Sequence, residues 1–195
     1  TVDAYNSALT RSNPTSLSVA RLYSSGVSIG DYAVFAGGIV STTSSAVCDA
    51  YNGTLTRITA PELSVARYQP SGTRVGEYGL IAGGWPTTSS KSDTVDAYTP
   101  TLTHIIAPNL QNVQGESQCA RIKDEFVLIG GGSADDSRIV TAYNAMLSRV
   151  NCDNLPGDDH TAAAGASIGE YALFAGGFKD ASSAYLSRVD VYIAE

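Results

Sequence analysis

The chain has 195 residues, of which 43% are hydrophobic, and a net charge of −7 with only 12 lysines and arginines. This composition allows a substantial core in one domain or two small ones. Because the basic residues are scattered, the sequence lacks the basic stripe that nucleic-acid binding requires. No apolar run approaches the roughly 20 residues of a membrane-spanning helix, so we expect no membrane insertion.

An internal repeat dominates the sequence. A strand-like run ending in two glycines occurs as DYAVFAGG, EYGLIAGG, EFVLIGGG and EYALFAGG, with its copies 46, 48 and 45 residues apart. A tyrosine segment keeps the same period and reads VDAYNSALT, CDAYNGTLT, VDAYTPTLT, VTAYNAMLS and VDVY. We interpret residues 1–195 as one array, with repeats at about 1–46, 47–93, 94–138 and 139–188 and the start of a fifth at 189–195.

Each repeat is predicted to contain four short strands. In the first repeat, LYSSGVSIG predicts one strand and DYAVFA the next. Both alternate residue sets of DYAVFA are apolar, which is typical of a strand covered on both faces. The tyrosine segment and the LTR run after its polar turn predict a hairpin. The sequence therefore predicts an all-β fold.

The repeat resembles the kelch repeat, whose usual period is about 50 residues. The resemblance covers essentially the whole chain and also extends to the kelch-like arrays of bacterial and bacteriophage proteins. It implies a kelch-type β-propeller built from four four-stranded repeats of about 47 residues. The residues that carry it are the glycine pairs Gly37-Gly38, Gly83-Gly84, Gly131-Gly132 and Gly176-Gly177, followed by Tyr51, Tyr98, Tyr143 and Tyr192.

One position departs from the kelch pattern. Kelch repeats usually place a tryptophan after the tyrosine, whereas a leucine stands four residues on in this sequence. We interpret these leucines as a smaller plug in a shortened hairpin. They are Leu9, Leu55, Leu102 and Leu147.

The glycine pair is interpreted as a folding device. The glycine strand has to turn sharply at its end while a neighbouring strand approaches closely, and glycine tolerates a positive φ and has no Cβ. A phosphate-binding loop is the alternative. No helix-starting pattern and no Lys-Ser/Thr pair follows any copy, which argues against that alternative.

No catalytic or metal site is predicted, and we expect neither an enzyme nor a cofactor. The candidate general bases, His104 and His160, lack a recurring acidic partner or a nucleophile at motif spacing. His104 occupies the repeat position of Arg11, Arg57 and Arg149, so we expect it on an exposed strand position. The acid pairs Asp135-Asp136 and Asp158-Asp159 match no calcium loop.

The three cysteines do not form a recognisable pattern. They are Cys48, Cys119 and Cys152, at unrelated repeat positions and without a Cys-x-x-Cys pair. Disulfide frameworks and zinc sites need more regular spacing. We interpret the cysteines as small buried apolar residues.

Candidate ligand-binding residues lie in the loop that leads to the innermost strand of each repeat. This loop supplies Arg21, Arg67, Gln114 and His160. Equivalent loops of a propeller converge around its axis, so these side chains would form a ring suited to an anionic or hydroxyl-rich ligand. In the alternative interpretation, the arginines bond to neighbouring carbonyl groups and stitch the blades together.

The loops after the glycine pairs form a second candidate set. They span 39–45, 85–92, 133–137 and 178–185. Trp85, the single tryptophan, could stack on a sugar ring. Ile39 and Phe178 hold the same repeat position, which favours the alternative of a shared apolar slot between blades.

These features favour a non-catalytic binding module that presents propeller-face loops to a glycan or protein ligand. We expect it to belong to a larger extracellular, cell-surface or virion protein. The alternative is a structural spacer or assembly domain without its own ligand. A propeller-type enzyme is less favoured, because the histidine and tyrosine ligands of copper-containing kelch oxidases are not visible.

The strand count raises the question of ring closure. The sequence holds four glycine-pair strands but five tyrosine segments. We therefore expect an incomplete ring, or one completed by further repeats or by another chain. The runner-up is a compact four-blade ring with one strand left outside. Open blade edges would allow self-association.

Overall fold

The structure is a computed structural model that describes residues 1–134, 137–157, 161–179 and 183–194. These residues form short antiparallel strands without any helix, so the all-β prediction is confirmed. In this part of the chain there is accordingly no helix of the length and apolarity that a membrane crossing requires.

The first strands form a two-stranded hairpin and a four-stranded sheet. The hairpin consists of β1 (Ala4–Tyr5) and β2 (Arg11–Ser12). The strands that follow are β3 (Ser25–Ile29), β4 (Tyr32–Ala36), β5 (Ile39–Val40), β6 (Thr43–Ser44), β7 (Cys48–Tyr51) and β8 (Arg57–Ala60). The first sheet has the order β3-β4-β7-β8, and β5 pairs with β6 outside it.

The second and third sheets repeat this arrangement. The second has the order β9-β10-β11-β12, with β9 (Ser71–Val75), β10 (Tyr78–Ala82), β11 (Val95–Tyr98) and β12 (His104–Ala107). The next strands are β13 (Gln114–Gly115), β14 (Gln118–Ile122), β15 (Phe126–Gly130), β16 (Ser133–Ala134), β17 (Thr141–Asn144) and β18 (Arg149–Val150). The third sheet has the order β14-β15-β17-β18, and β13 pairs with β16.

The fourth sheet has three strands. The remaining strands are β19 (Ala164–Ile168), β20 (Tyr171–Ala175), β21 (Phe178–Lys179), β22 (Ala184–Tyr185) and β23 (Val189–Ile193). The sheet has the order β19-β20-β23, and β21 pairs with β22. In all four sheets the strand that precedes a glycine pair therefore lies second. One neighbour is the strand before it in the chain, here called the inner strand, and the other is the strand that carries the tyrosine segment.

The core lies between the sheets. The inner strands β3, β9, β14 and β19 lie side by side in that order. One apolar cluster joins Ile29 of the first sheet to Ile81 of the second. A second cluster joins Leu80 to Val127 of the third sheet, and a third joins the third sheet to Phe174 of the fourth. Each sheet thus buries both faces only where it has a neighbour on each side.

The first glycines of the first two pairs have the conformation and the surroundings expected of them. Gly37 and Gly83 have φ values of +67° and +61°. A Cβ on Gly37 would lie 2.5 Å from the carbonyl oxygen of Arg67, and one on Gly83 would lie 2.6 Å from that of Gln114. Both carbonyl groups belong to the following repeat. The positive φ and the close approach of a neighbouring segment are therefore both confirmed for these two glycines.

The leucine plug is present in two hairpins only. Leu102 and Leu147 are buried, with 8% of their surface exposed, whereas Leu55 is 40% and Leu9 is 81% exposed. All four leucines adopt a positive φ in the turn of their hairpin, between +57° and +59°. Leu102 packs against the first sheet and Leu147 against the second, whereas no earlier sheet covers the hairpins of Leu9 and Leu55. The prediction is therefore wrong for Leu9 and Leu55.

Candidate functional site

The loops before the inner strands hold buried side chains. The Arg21 side chain is fully buried, and its Nη1 donates to Oδ2 of Asp49 at 2.8 Å. Nη2 of Arg21 donates to the Phe35 carbonyl at 3.0 Å. Asp49 also accepts a hydrogen bond from the Ser18 backbone N–H. The guanidinium thus fastens this loop to the second and third strands of its own sheet.

The second repeat reproduces this arrangement. Nη2 of Arg67 lies 2.6 Å from Oδ2 of Asp96, and both side chains are fully buried. The same nitrogen donates to the Ile81 carbonyl at 2.9 Å. The backbone carbonyl of Arg67 accepts a hydrogen bond from Gly38 of the preceding repeat. Arg67 therefore joins its loop to its own sheet through the side chain and to the preceding sheet through the backbone.

The third repeat replaces both partners at once. Gln114 stands in the place of the arginine and Thr141 in the place of the aspartate. Nε2 of Gln114 donates to Oδ1 of Asn112 at 2.7 Å and to the Ile139 carbonyl at 3.1 Å. Thr141 Oγ1 accepts from the Gln111 backbone N–H at 3.0 Å. A neutral pair thus keeps the same loop attached.

The arginine side chains attach each loop to its own sheet, whereas the link to the preceding sheet comes from the backbone of Arg67. Arg67 and Gln114 are buried to within 1% of their surface, and the Arg21 side chain is as deeply buried. The Nη donors of the two arginines and the Nε2 donor of Gln114 bond to groups of the protein, so a ligand could reach them only after the loops opened. His160 and the acid pairs Asp135-Asp136 and Asp158-Asp159 lie outside the described residues.

The two buried aspartates are held in the ionised form. Burial alone would raise the pKa of Asp96, but the charge of Arg67 and the hydrogen bonds from Ser64 and His104 outweigh it and leave this pKa below its usual value. The pKa of Asp49 is lowered in the same way, with hydrogen bonds from Arg21 and Ser18 outweighing burial. The aspartates are therefore structural anions rather than candidate general acids.

His104 is engaged by the same network. Its Nε2 lies 2.6 Å from Oδ1 of Asp96, and 20% of its side chain is exposed. The expectation of an exposed position is therefore wrong, because the imidazole turns back onto the buried carboxylate. The described residues contain no group of three or more histidine, cysteine, aspartate or glutamate side chains arranged to hold a metal ion.

The cysteines are free thiols. Cys48 is buried, as expected, whereas Cys119 and Cys152 are half-buried. Burial raises the pKa of Cys119 to about 12 and that of Cys152 to about 11. Since the thiolate is the reactive form of cysteine, these shifts disfavour a nucleophilic role.

Trp85 lies in the loop after the second glycine pair. It is half-buried, and its backbone pairs with Tyr68 through two hydrogen bonds of 3.0 and 2.8 Å. Ile39 and Phe178 form the same bridges to the loops before β3 and β19. In each of these three repeats, a pair of backbone hydrogen bonds therefore joins the loop before the inner strand to the loop after the glycine pair. Lys91 Nζ lies 5.6 Å from the centroid of the Trp85 ring.

Equivalent loops from three sheets converge on one side of the array, here called the loop face and comprising residues 22–24, 68–70 and 115–118. The Gln69 backbone N–H donates to the Tyr23 carbonyl at 2.8 Å, which links the first two loops. Together the loops line a groove of about 300 Å³. Its lining residues are Tyr23, Ser24, Gln69, Pro70, Glu116, Ser117 and Gln118.

Two aromatic rings stand at this groove. The ring centroids of Tyr23 and Tyr68 are 6.2 Å apart, and 56% of Tyr23 is exposed. Tyr23, Gln69 and Glu116 have φ values of +59°, +49° and +57°. A left-handed conformation is unusual for such residues, and strained residues of this kind cluster at binding sites. Sequence reasoning missed this site, because no glycine or asparagine marks the three positions.

A cluster of charged side chains lies at the opposite ends of the inner strands. Oδ1 of Asp124 accepts hydrogen bonds from Arg74 at 2.9 Å and from Arg121 at 3.0 Å. The two arginines hold the same position of β9 and β14, and they hold the pKa of Asp124 below its usual value. All three side chains are more than a third exposed. The repeat spacing places Arg74 and Arg121 at equivalent positions of neighbouring strands, and this signal in the sequence could have revealed the cluster.

Comparisons with known proteins do not identify a family for this chain. Neither a scan against protein-family models nor a search of curated proteins gave a match to this chain. The kelch resemblance therefore rests on the glycine pairs and the tyrosine segments.

Proposed function

We propose that the four sheets are consecutive blades of a kelch-type β-propeller array. Three observations support this architecture. The glycine strand lies second in every sheet, the inner strands lie side by side, and the core lies between sheet faces. Propellers are built in this way, from small sheets packed radially around an axis.

We further propose that the array is a non-catalytic binding module and that its loop face binds a glycan. The observation that carries this proposal is the exposed Tyr23 ring beside Tyr68, at a groove built by equivalent loops of three sheets. A tyrosine ring offers a flat apolar surface with a polar end, which suits the C–H face of a sugar and its hydroxyl groups.

The polar residues of the groove complement the aromatic rings. Gln69, Glu116 and Gln118 supply amide and carboxylate groups that can donate to or accept from hydroxyl groups. The acidic net charge of −7 favours such a neutral ligand over nucleic acid. A glycan ligand also accords with an extracellular, cell-surface or virion location, which is part of this proposal.

A non-catalytic role is supported by the state of the strongest candidate base. His104 lies against the buried Asp96 carboxylate, which is itself paired with Arg67. A general base needs a free nitrogen within reach of a substrate proton. The contacts of His104 place its Nε2 toward the interior instead.

A glycan array tests the proposal. We expect the wild-type protein to bind a defined subset of glycans and the Tyr23→Ala variant to lose on the order of tenfold or more in affinity for them. Tyr5→Ala is the matched control, because Tyr5 is similarly exposed, at 64%, but lies on β1 away from the groove. Equal binding by both variants, or no bound glycan at high protein concentration, would refute the glycan proposal and favour a protein ligand.

An assembly domain is the second candidate function. It is favoured by one observation, an apolar face of the fourth sheet on which Val189, Val191 and Ile193 are more than half exposed. Exposed apolar patches of this kind commonly mark interaction surfaces.

A further inference from the structure

The charged cluster of Arg74, Arg121 and Asp124 is not part of the repeat pattern. The position of the two arginines on the inner strand is held by serine in the other two sheets, Ser28 in the first and Ser167 in the fourth. The fourth sheet packs against the third with serine at this position. The contact between neighbouring sheets therefore does not require an arginine there.

The carboxylate of the cluster comes from a longer turn. In three of the sheets the turn between the inner strand and the glycine strand has two residues, whereas in the third sheet it has three, 123–125. The Gly76 backbone N–H donates to the Asp124 carbonyl at 2.8 Å, which fastens this turn to the second sheet. The Asp124 side chain is 60% exposed, so it can rotate away from the arginines while its backbone stays in place.

Two guanidinium groups share one carboxylate oxygen in this cluster. Arg74 Nη2 and Arg121 Nη1 both donate to Asp124 Oδ1, so two positive charges face a single negative charge. The neighbouring Lys123 is paired separately with Glu170, at 2.7 Å. Nε of Arg74 is buried and has no hydrogen-bond partner among the described residues. The arginine pair thus retains positive charge and an unused donor when Asp124 is bound to it.

A groove passes both arginines. It consists of two cavities of about 340 and 300 Å³, each lined by Arg74 and Arg121. The hydroxyl-bearing residues Ser28 and Thr73 line one cavity, and Ser167 lines the other. These volumes lie at the lower end of the range of about 300–1,000 Å³ that is usual for ligand pockets. The groove therefore combines two cations with hydroxyl groups in a space that suits a small polar acid.

We propose that Arg74 and Arg121 form a binding site for a sugar acid, whose carboxylate takes the place of the Asp124 side chain. A guanidinium group matches a carboxylate with two parallel N–H donors, and each arginine offers more donors than its single bond to Asp124 uses. Asp124 compensates the two cations when no ligand is bound. Because ion pairs between exposed side chains are weak, an incoming carboxylate can displace it. The serine and threonine hydroxyl groups then bind the hydroxyl groups of the sugar ring.

Titration with glucuronate tests the site, with glucose as the uncharged control. NMR signals of the arginine Nε–Hε groups report on the side chains directly. At low ionic strength we expect glucuronate to shift the signals of Arg74 and Arg121 until they saturate, and glucose to shift neither. Arg74→Gln and Arg121→Gln should each weaken glucuronate binding on the order of tenfold. Arg149→Gln is the matched control, because Arg149 is an exposed arginine on β18, the outer strand of the third sheet.

Removal of the Asp124 carboxylate tests whether it occupies the place of the ligand. Asp124→Ala removes an internal competitor, so we expect the affinity for glucuronate to rise about fivefold. Glu125→Ala is the matched control. Glu125 is an exposed acid of the same turn, but in the described part of the chain it forms no hydrogen bond or ion pair with either arginine. Thermal unfolding checks that each variant is folded, and the comparison of Asp124→Ala with Glu125→Ala keeps the test intact if an arginine variant is not.

Three results would overturn the proposal. Equal glucuronate affinity of Asp124→Ala and Glu125→Ala would mean that Asp124 does not compete with the ligand. Equal affinity for sulfate and glucuronate would mean that only charge is recognised, without a preference for a sugar acid. Glucuronate shifts at Arg149 as large as those at Arg74 and Arg121 would mean unspecific binding to exposed arginines. None of these results bears on the glycan proposal for the loop face, which depends on Tyr23.

Discussion

Nη2 of Arg67 lies 2.6 Å from Oδ2 of Asp96, with both side chains excluded from solvent. One N–H of this nitrogen donates to the Ile81 carbonyl at 2.9 Å, and the nitrogen forms an ion pair with Asp96. Oδ1 of Asp96 accepts a hydrogen bond from the Ser64 backbone, on the same loop as Arg67, and also lies 2.6 Å from Nε2 of His104. One buried carboxylate thus holds both ends of the loop that leads into β9.

Removal of the Arg67 charge should destabilise the fold. Arg67→Met leaves Asp96 buried without its cation, and we expect the free energy of unfolding to fall by about 3–5 kcal/mol. The double variant Arg67→Met/Asp96→Val should recover much of this loss, since it leaves no unpaired charge. Urea denaturation measures both. Arg149→Met is the control, because Arg149 is exposed; equal midpoints for Arg67→Met and Arg149→Met would contradict the structural role.

The same pairs predict an acid-sensitive fold. The pKa values of Asp49 and Asp96 are lowered in the folded state, so their ionised forms stabilise it. This stabilisation is fully present above the unfolded-state pKa of about 3.9 and is lost as the pH falls through the lower folded pKa. We therefore expect the free energy of unfolding to fall steeply below about pH 4.

The double variant Asp49→Asn/Asp96→Asn tests this dependence. Its stability at neutral pH should be lower than that of wild type, and its further loss in acid should be smaller. The control is Asp124→Asn, since Asp124 is 60% exposed and its ion pairs contribute little. An acid dependence that is the same in the double variant and in wild type would show that other groups are responsible.

Local sequence signals predicted much of the fold. The repeated glycine pair gave both the positive φ of Gly37 and the close approach of the Arg67 carbonyl, because each is a local demand that only glycine meets. The all-β class followed from short apolar runs between turns. The strand patterns recur with the period of the sequence repeat, so a strand predicted in one repeat supports the equivalent strands of the others.

The arrangement of the site was harder to predict. The sequence placed Arg21 and Arg67 at one repeat position but did not identify their partners, Asp49 and Asp96, which the fold brings to them from the third strand of each sheet. The joint replacement by Gln114 and Thr141 was an available signal. The groove at Tyr23 had none, because no glycine or asparagine marks its left-handed backbone positions.

The recurring tyrosine anchors the segment between sheets. Tyr98 is fully buried, and its hydroxyl donates to the Pro61 carbonyl at 2.9 Å. Tyr143 reaches Pro108 in the same way, at 2.6 Å. Tyr98→Phe should cost about 1–2 kcal/mol, because a partly buried hydrogen bond to the Pro61 carbonyl is lost. Tyr5→Phe should cost nothing measurable in thermal unfolding, since Tyr5 is 64% exposed; similar losses in both variants would remove the anchoring role.

Replacing a glycine of the pair has two costs, backbone strain and a clash with the next repeat. Two glycines of this chain allow the two costs to be measured separately. Gly83 and Gly176 have similar φ values, +61° and +69°. A Cβ on Gly83 would lie 2.6 Å from the Gln114 carbonyl oxygen, whereas the nearest atom at Gly176 is the Leu186 carbonyl oxygen at 3.7 Å. Alanine at Gly176 therefore meets only the backbone strain, while alanine at Gly83 also forces the next repeat away.

We expect Gly176→Ala to lower the free energy of unfolding by about 1 kcal/mol and Gly83→Ala by about 2–4 kcal/mol. Urea denaturation of the monomer, at a concentration too low for self-association, provides the comparison. Equal costs for the two glycines in the dilute monomer would mean that backbone conformation alone explains the motif.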